Sequence, residues 1–173
     1  MPALEELDLL RHLTPEEREE LARLMEPVSF APREEIIEEG RPEDALYVLV
    51  SGTVEVHKKV LAGRTRRLAV MQAPTVVGEV GLLAGGAGAV ATVRARTRVR
   101  GYRLPKAELL RLLDEESPAA FKLVYELGRL LADRMARTDA SIAEVINQLE
   151  RYDPDQTHDF SVFQDRLIQE WGL

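Results

Sequence analysis

Between Val28 and Leu104 the chain is a succession of short apolar or alternating runs, each closed by turn residues, and this stretch limits the architecture most. Candidate strands are Val28–Phe30, Glu35–Glu38, Ala45–Val50, Thr53–Lys58, Thr65–Met71, Ala91–Ala95 and Arg98–Arg103. Gly40-Arg41-Pro42, Ser51-Gly52, Ala62-Gly63 and Gln72-Ala73-Pro74 separate them, and Gly and Pro there supply the backbone angles that tight turns need. Strands this short and closely spaced bury their apolar faces by closing on one another. The pattern predicts a compact β-barrel or jelly roll.

Helical patterns flank this region. Leu4, Leu7 and Leu10 recur at helical spacing, and Thr14-Pro15-Glu16-Glu17 is a capping box with proline in the first turn. Leu21, Leu24 and Met25 continue that second helix until Pro27. After Pro105, Lys106–Leu113 reads as a short amphipathic helix, and Ser117-Pro118 opens a long one over residues 117–149. Phe121, Val124, Gly128, Leu131, Met135, Thr138, Ile142, Val145 and Leu149 alternate steps of three and four, the coiled-coil period. Some 30 helical residues span roughly 45 Å, more than a small barrel covers. The expectation is a homodimer through residues 121–149; the alternative is a helix packed wholly on its own barrel. Asp153-Pro154-Asp155 ends the helix, and Phe160, Phe163, Leu167 and Trp171 mark a final helical stripe. Residues 1–150 thus form one domain that includes the long helix, with a short helical tail over 151–173.

Composition removes other classes. With no cysteine there is no disulfide framework, thiolate metal site or cysteine nucleophile. The net charge of −7 opposes whole-molecule attraction to nucleic acid or anionic lipid. No apolar run approaches the roughly 18 to 20 residues of a membrane span, and Met1-Pro2-Ala3-Leu4 opens no secretory signal, so the expected compartment is the cytoplasm. His12, His57 and His158 fall in separate segments and no serine sits in a nucleophile elbow. The chain reads as non-enzymatic.

Three segments then fit together: Ile37–Gly40 with Leu46–Val56, the run Val77-Gly78-Glu79-Val80-Gly81-Leu82-Leu83, and Val90-Ala91-Thr92-Val93-Arg94-Ala95. Over roughly residues 5 to 150 the chain resembles the cyclic nucleotide-binding domain of the catabolite-activator family. The resemblance implies an α+β fold, a double-stranded β-helix (jelly-roll) barrel with N-terminal helices and a long C-terminal dimerisation helix. It also implies cAMP or cGMP as ligand and no metal. Its phosphate-binding cassette falls on Gly78, Glu79, Val80, Gly81, Ala89 and Val90, and its purine contacts on Thr138 and Asp139. Gly78 would let backbone approach the ligand, amides of the short helix would face a phosphate, and Glu79 would accept a ribose hydroxyl proton. The family places an arginine on the cyclic phosphate, where bidentate recognition suits an anion. Here that position is Ala89. Thr138 keeps the family's threonine, while Asp139 replaces a small hydroxyl residue.

The implied function is a stand-alone sensor or regulatory domain with a degenerate cassette, binding cyclic nucleotide weakly, not at all, or taking another small anion. The alternatives are a working cAMP or cGMP receptor signalling to a partner protein, a structural scaffold, and a transcription regulator of the same family. Only 24 residues follow Leu149, so DNA binding through the family's winged helix-turn-helix is not expected.

Four other groupings have two readings each. Arg94, Arg96, Arg98 and Arg100 share one sheet face if the stretch stays extended; they would bind an anion or, the favoured reading, balance nearby glutamates. Arg64, Arg66 and Arg67 include candidates to replace the missing arginine. Gly85-Gly86-Ala87-Gly88 is an anion cradle or, more simply, a connection. Asp153, Asp155, His158 and Asp159 offer ligands for a hard cation, although a helix-ending turn explains them as well.

Overall fold

The computed structural model describes residues 8–60, 63–83 and 88–152. The expected first helix at Leu4 and Leu7, the Gly85–Ala87 part of the glycine loop, the acidic group at Asp153–Asp159 and the tail stripe lie outside them. Two compact units divide the chain, residues 1–131 and 132–173.

The first unit opens with a 3₁₀ turn at Asp8–Leu10 and helix α1 (Pro15–Leu24). Thr14 caps α1 as its sequence dictates: its hydroxyl accepts from Glu17 N–H, and the Glu17 carboxylate accepts from Thr14 N–H at 2.8 Å. The strands are β1 (Glu26–Phe30), β2 (Glu35–Ile37), β3 (Ala45–Ser51), β4 (Thr53–Lys59), β5 (Thr65–Gln72) and β6 (Thr75–Val77). The five-residue helix α2 (Glu79–Leu83) follows, then β7 (Thr92–Ala95), β8 (Val99–Pro105) and helix α3 (Lys106–Asp114). Helix α4 runs from Pro118 to Tyr152 and passes through the division between the units.

The strands form two four-stranded antiparallel sheets, β1-β8-β3-β6 and β2-β7-β4-β5, in a jelly-roll α+β arrangement. Strand β3 shows how the core is built. Leu46 and Val48 face outward, where Leu21, Leu109, Leu123 and Leu127 of the helices cover them. Tyr47 and Leu49 face the barrel interior with Val54, Val77, Val93 and Val99. Both faces of β3 are covered, which is why its sequence is a continuous apolar run. Each fully buried leucine contributes about 1.5 to 3 kcal/mol relative to exposure.

Two local expectations change. Helix α1 stops at Leu24, and Pro27 lies inside β1, an edge strand where a missing N–H breaks no ladder. Thr75–Val77 is an additional strand, pairing with Tyr47–Leu49. The arginine run divides between two strands as expected, β7 ending at Ala95 and β8 beginning at Val99. Arg94 pairs with Glu35 at 2.6 Å and Arg96 lies 3.8 Å from Glu55, the favoured reading in which these charges balance nearby glutamates.

At its base α4 buries Ala119, Ala120, Leu123 and Leu127, while Phe121 and Tyr125 are exposed. Lys122 pairs with Glu17 of α1 at 2.6 Å, and the Ser117 hydroxyl donates to Glu20 at 3.0 Å. In the second unit Met135, Ile142 and Val145 are exposed on α4. Among the described residues no helix is long and apolar enough to cross a membrane.

Candidate functional site

The turn from β6 into α2 is built by two glycines leaning on the connection between β2 and β3. Gly78 has φ +91°, and a Cβ there would stand 2.5 Å from the Ala45 carbonyl oxygen. One turn on, a Cβ on Gly81 would collide with the Cβ and Cγ of Glu43. Lys106 of α3 donates to the Gly81 carbonyl at 3.1 Å, fixing the helix from its other side. Glu79 is buried, Val80 is half-buried, and Leu82 joins the outer core cluster.

The returning segment leans on the same connection. Ala89 N–H donates to Arg41 O at 2.7 Å and Gly40 N–H donates to Ala89 O at 2.8 Å. Ala89 is 8% exposed and belongs to the barrel-lining apolar cluster, whereas Val90 is exposed. Residues 40–45 therefore touch both segments expected to form the cassette, Gly78–Gly81 through Ala45 and Glu43 and Ala89 through Gly40 and Arg41. Thr138 and Asp139 lie in the second unit, exposed on α4, where the Thr138 hydroxyl donates to Arg134 O at 3.0 Å.

Two ionisable residues beside the cassette segments were not singled out from sequence. Glu43 is half-buried beneath Gly81, and burial pushes its carboxyl up to about 7. The Asp44 charge adds to the rise, while backbone N–H bonds from Ala45 and Asp44 and the charge of Arg103 oppose it. Arg103 itself pairs with Glu26 and Asp44, each at 3.1 Å. The second is Lys58, whose ammonium donates to the Val90 carbonyl and pairs with Glu39 at 2.9 Å. Glu39 also accepts from Lys59 N–H at 2.8 Å, and its own N–H donates to Thr92 Oγ1 at 3.0 Å. The bond from Lys59 N–H, and less strongly that from the Lys58 ammonium, hold the Glu39 carboxyl below the usual carboxylate range. Sequence carried a signal for Lys58: it continues the period-two row Val54, Val56, Lys58. Glu43 had none, because its setting depends on a distant glycine.

Of the arginines proposed as substitutes, Arg67 is engaged with Glu55 at 3.0 Å, on the face that also carries His57. Arg66 stands opposite Lys58 in the β4–β5 ladder. Arg64 lies at the hairpin end, its carbonyl accepting from Val60 N–H at 2.7 Å.

A family model of the cyclic nucleotide-binding domain matches residues 27–116, more than half of the 173. The chain belongs to the cyclic nucleotide-binding domain family. Among its relatives is a CRP-like cAMP-activated global transcriptional regulator of Mycobacterium tuberculosis, 28% identical over 126 residues, covering 73% of this chain and 54% of that protein. A cAMP-dependent protein kinase regulatory subunit of Aspergillus fumigatus is 37% identical over 110 residues, covering 64% of this chain and 26% of the relative. The chain thus spans about half the length of the first and about a quarter of the second. The N-terminal domain of a transcriptional regulator from Streptomyces coelicolor superposes with TM-score 0.65 at 30% identity, covering 76% of this chain and 94% of that one. The catabolite activator protein of Thermus thermophilus gives 0.66 at 25% identity, covering 79% and 62%. The named relatives are regulators, and the cyclic nucleotide-binding domain is what this chain shares with them.

Proposed function

We propose that this chain is a non-enzymatic sensor domain of the cyclic nucleotide-binding type whose cassette is degenerate, so that it binds cAMP and cGMP weakly or takes another small anion. The observation that carries the reading is Ala89, a methyl group in the apolar barrel lining where the resemblance calls for a guanidinium. A desolvated charge-assisted contact of that kind contributes about 2 to 5 kcal/mol. A phosphate brought near the buried Glu79 without it would leave charge uncompensated. Gly78, Glu79, Val80, Gly81 and Val90 are the remaining cassette residues proposed to line the site. Residues 121–149 are proposed to hold a second copy, supported by exposed Phe121, Tyr125, Met135, Ile142 and Val145.

Calorimetry with cAMP and cGMP tests this. Wild-type protein is expected to bind no tighter than high micromolar, and Ala89→Arg to tighten cAMP binding at least about tenfold. Submicromolar wild-type affinity would overturn the reading. It would favour a second one, a working cAMP or cGMP receptor signalling to a protein partner, which the retained Gly78-Glu79 pair and the cAMP named in the relatives' descriptions support.

A further inference from the structure

Strand β4 keeps an unbroken register with β7 from Val54 to His57, although its pairing with β5 shifts between Val56 and His57. Val54 is buried in the barrel interior and Val56 packs against the same cluster, so the next residue on that face is Lys58. The β4–β5 ladder places Arg66 directly opposite Lys58, on the same face. The barrel-lining row therefore changes from aliphatic to cationic at the end where the cassette returns through Ala89 and Val90. Sequence position hides this: Lys58 reaches the Val90 carbonyl across 32 residues.

We propose that Lys58, with Arg66 beside it, supplies the positive charge for a phosphate-bearing ligand at this mouth, delivered from β4 and β5 and not from position 89. The inference rests on reading Ala89 as the position that lacks a charge.

The bonding around Lys58 fits the role. An ammonium has three donors. One goes to the Val90 carbonyl and one to Glu39, which leaves a third for a ligand oxygen. Glu39 is fixed by Lys59 N–H, so it holds the ammonium beside Val90. Arg66 makes no ion pair with a described residue, whereas Arg67 is committed to Glu55 on the opposite face. Two cations against one carboxylate leave the mouth net positive. A Lys ammonium as the fixed charge, with an exposed arginine beside it at an open rim, favours ligands by charge more than by the bidentate shape selection of a guanidinium clamped on a cyclic diester. A phosphomonoester, carrying more charge, should therefore bind at least as well as a cyclic diester.

The test is calorimetric titration of the full chain with cAMP, 5′-AMP and inorganic phosphate, for wild type, Lys58→Gln, Lys58→Arg and Arg66→Gln. The expected result is affinity for 5′-AMP equal to or above that for cAMP, falling steeply with added salt. Binding should weaken about tenfold in Lys58→Gln, less in Arg66→Gln, and be largely kept in Lys58→Arg. Inorganic phosphate binding alone would identify a free anion as the ligand; binding of 5′-AMP alone would identify a nucleotide. Arg66 is exposed, so its variant keeps the test sound if Lys58→Gln unfolds. Wild-type-like binding in both glutamine variants would overturn the inference, as would no binding of any probe at millimolar concentration. That last result leaves the weak-binding reading of Ala89 standing. Submicromolar cAMP affinity lost in Lys58→Gln would do the reverse, removing that reading and keeping Lys58.

Discussion

Glu43→Gln should alter how stability depends on pH. The wild-type carboxyl is held beneath Gly81, and folding moves its pKa from 4.5 to about 7. The folded chain thus binds this proton more tightly than the unfolded chain. Stability linked to it is full below about pH 4.5, declines as pH rises, and is gone once pH passes about 7. At 1.36 kcal/mol per pKa unit the whole effect is about 3 kcal/mol, trimmed towards 2 because the site is only partly closed to water. Glutamine keeps the shape and the carbonyl that Ala45 N–H donates to, but carries no charge at any pH. The variant should therefore match wild type near pH 4.5 and exceed it by about 2 to 3 kcal/mol at pH 8. Urea unfolding at fixed ionic strength across that range measures the difference, and groups common to both proteins cancel. A difference that stays flat from pH 4.5 to 8 would refute the argument, since it would mean Glu43 titrates alike in both states.

The other expectations concern packing, backbone and assembly. Leu127→Ala removes a fully buried side chain from the cluster between helices and sheet and should cost about 3 kcal/mol in denaturant unfolding. Gly78→Ala combines a left-handed backbone with a collision against the Ala45 carbonyl, and should lose about 2 kcal/mol or more in the same assay. If residues 121–149 hold a second copy, Ile142→Glu should shift light scattering at micromolar concentration from dimer to monomer; a monomeric wild type would refute that interface.

Most of the fold was legible because its signals are local. Thr14 and Glu17 sit three residues apart and cap α1 by themselves, and the alternation of Thr53–Lys58 specifies a half-buried strand without outside help. Thr75–Val77 escaped because three residues hold no period; its strand exists through pairing with Tyr47–Leu49. The arginine run was legible too: its two strands part at a bend at Arg96–Thr97, and Arg94 and Arg96 face Glu35 and Glu55 as the favoured reading expects. At the site, Ala89 could be read by its departure from a pattern. Lys58 could have been read from its parity with Val54 and Val56, but its significance depends on which strand returns beside it. Glu43 could not be read, because the burial that chiefly perturbs it comes from its packing beneath Gly81, far away in sequence, with only a lesser push from its neighbour Asp44.

The connection from Gly40 to Ala45 has a consequence for how this chain tolerates change. It holds Ala89 through the Gly40 amide and the Arg41 carbonyl, and it meets Gly78 at the Ala45 carbonyl. All three contacts are made by main-chain atoms, so they place little demand on which side chains stand at the exposed Arg41 and Pro42. They place a strict demand on how many residues there are. Inserting or deleting one residue here would shift one contact relative to the other two, and no choice of side chain would restore the spacing. The segment is permissive in composition and intolerant in length, the reverse of what a surface loop ordinarily shows.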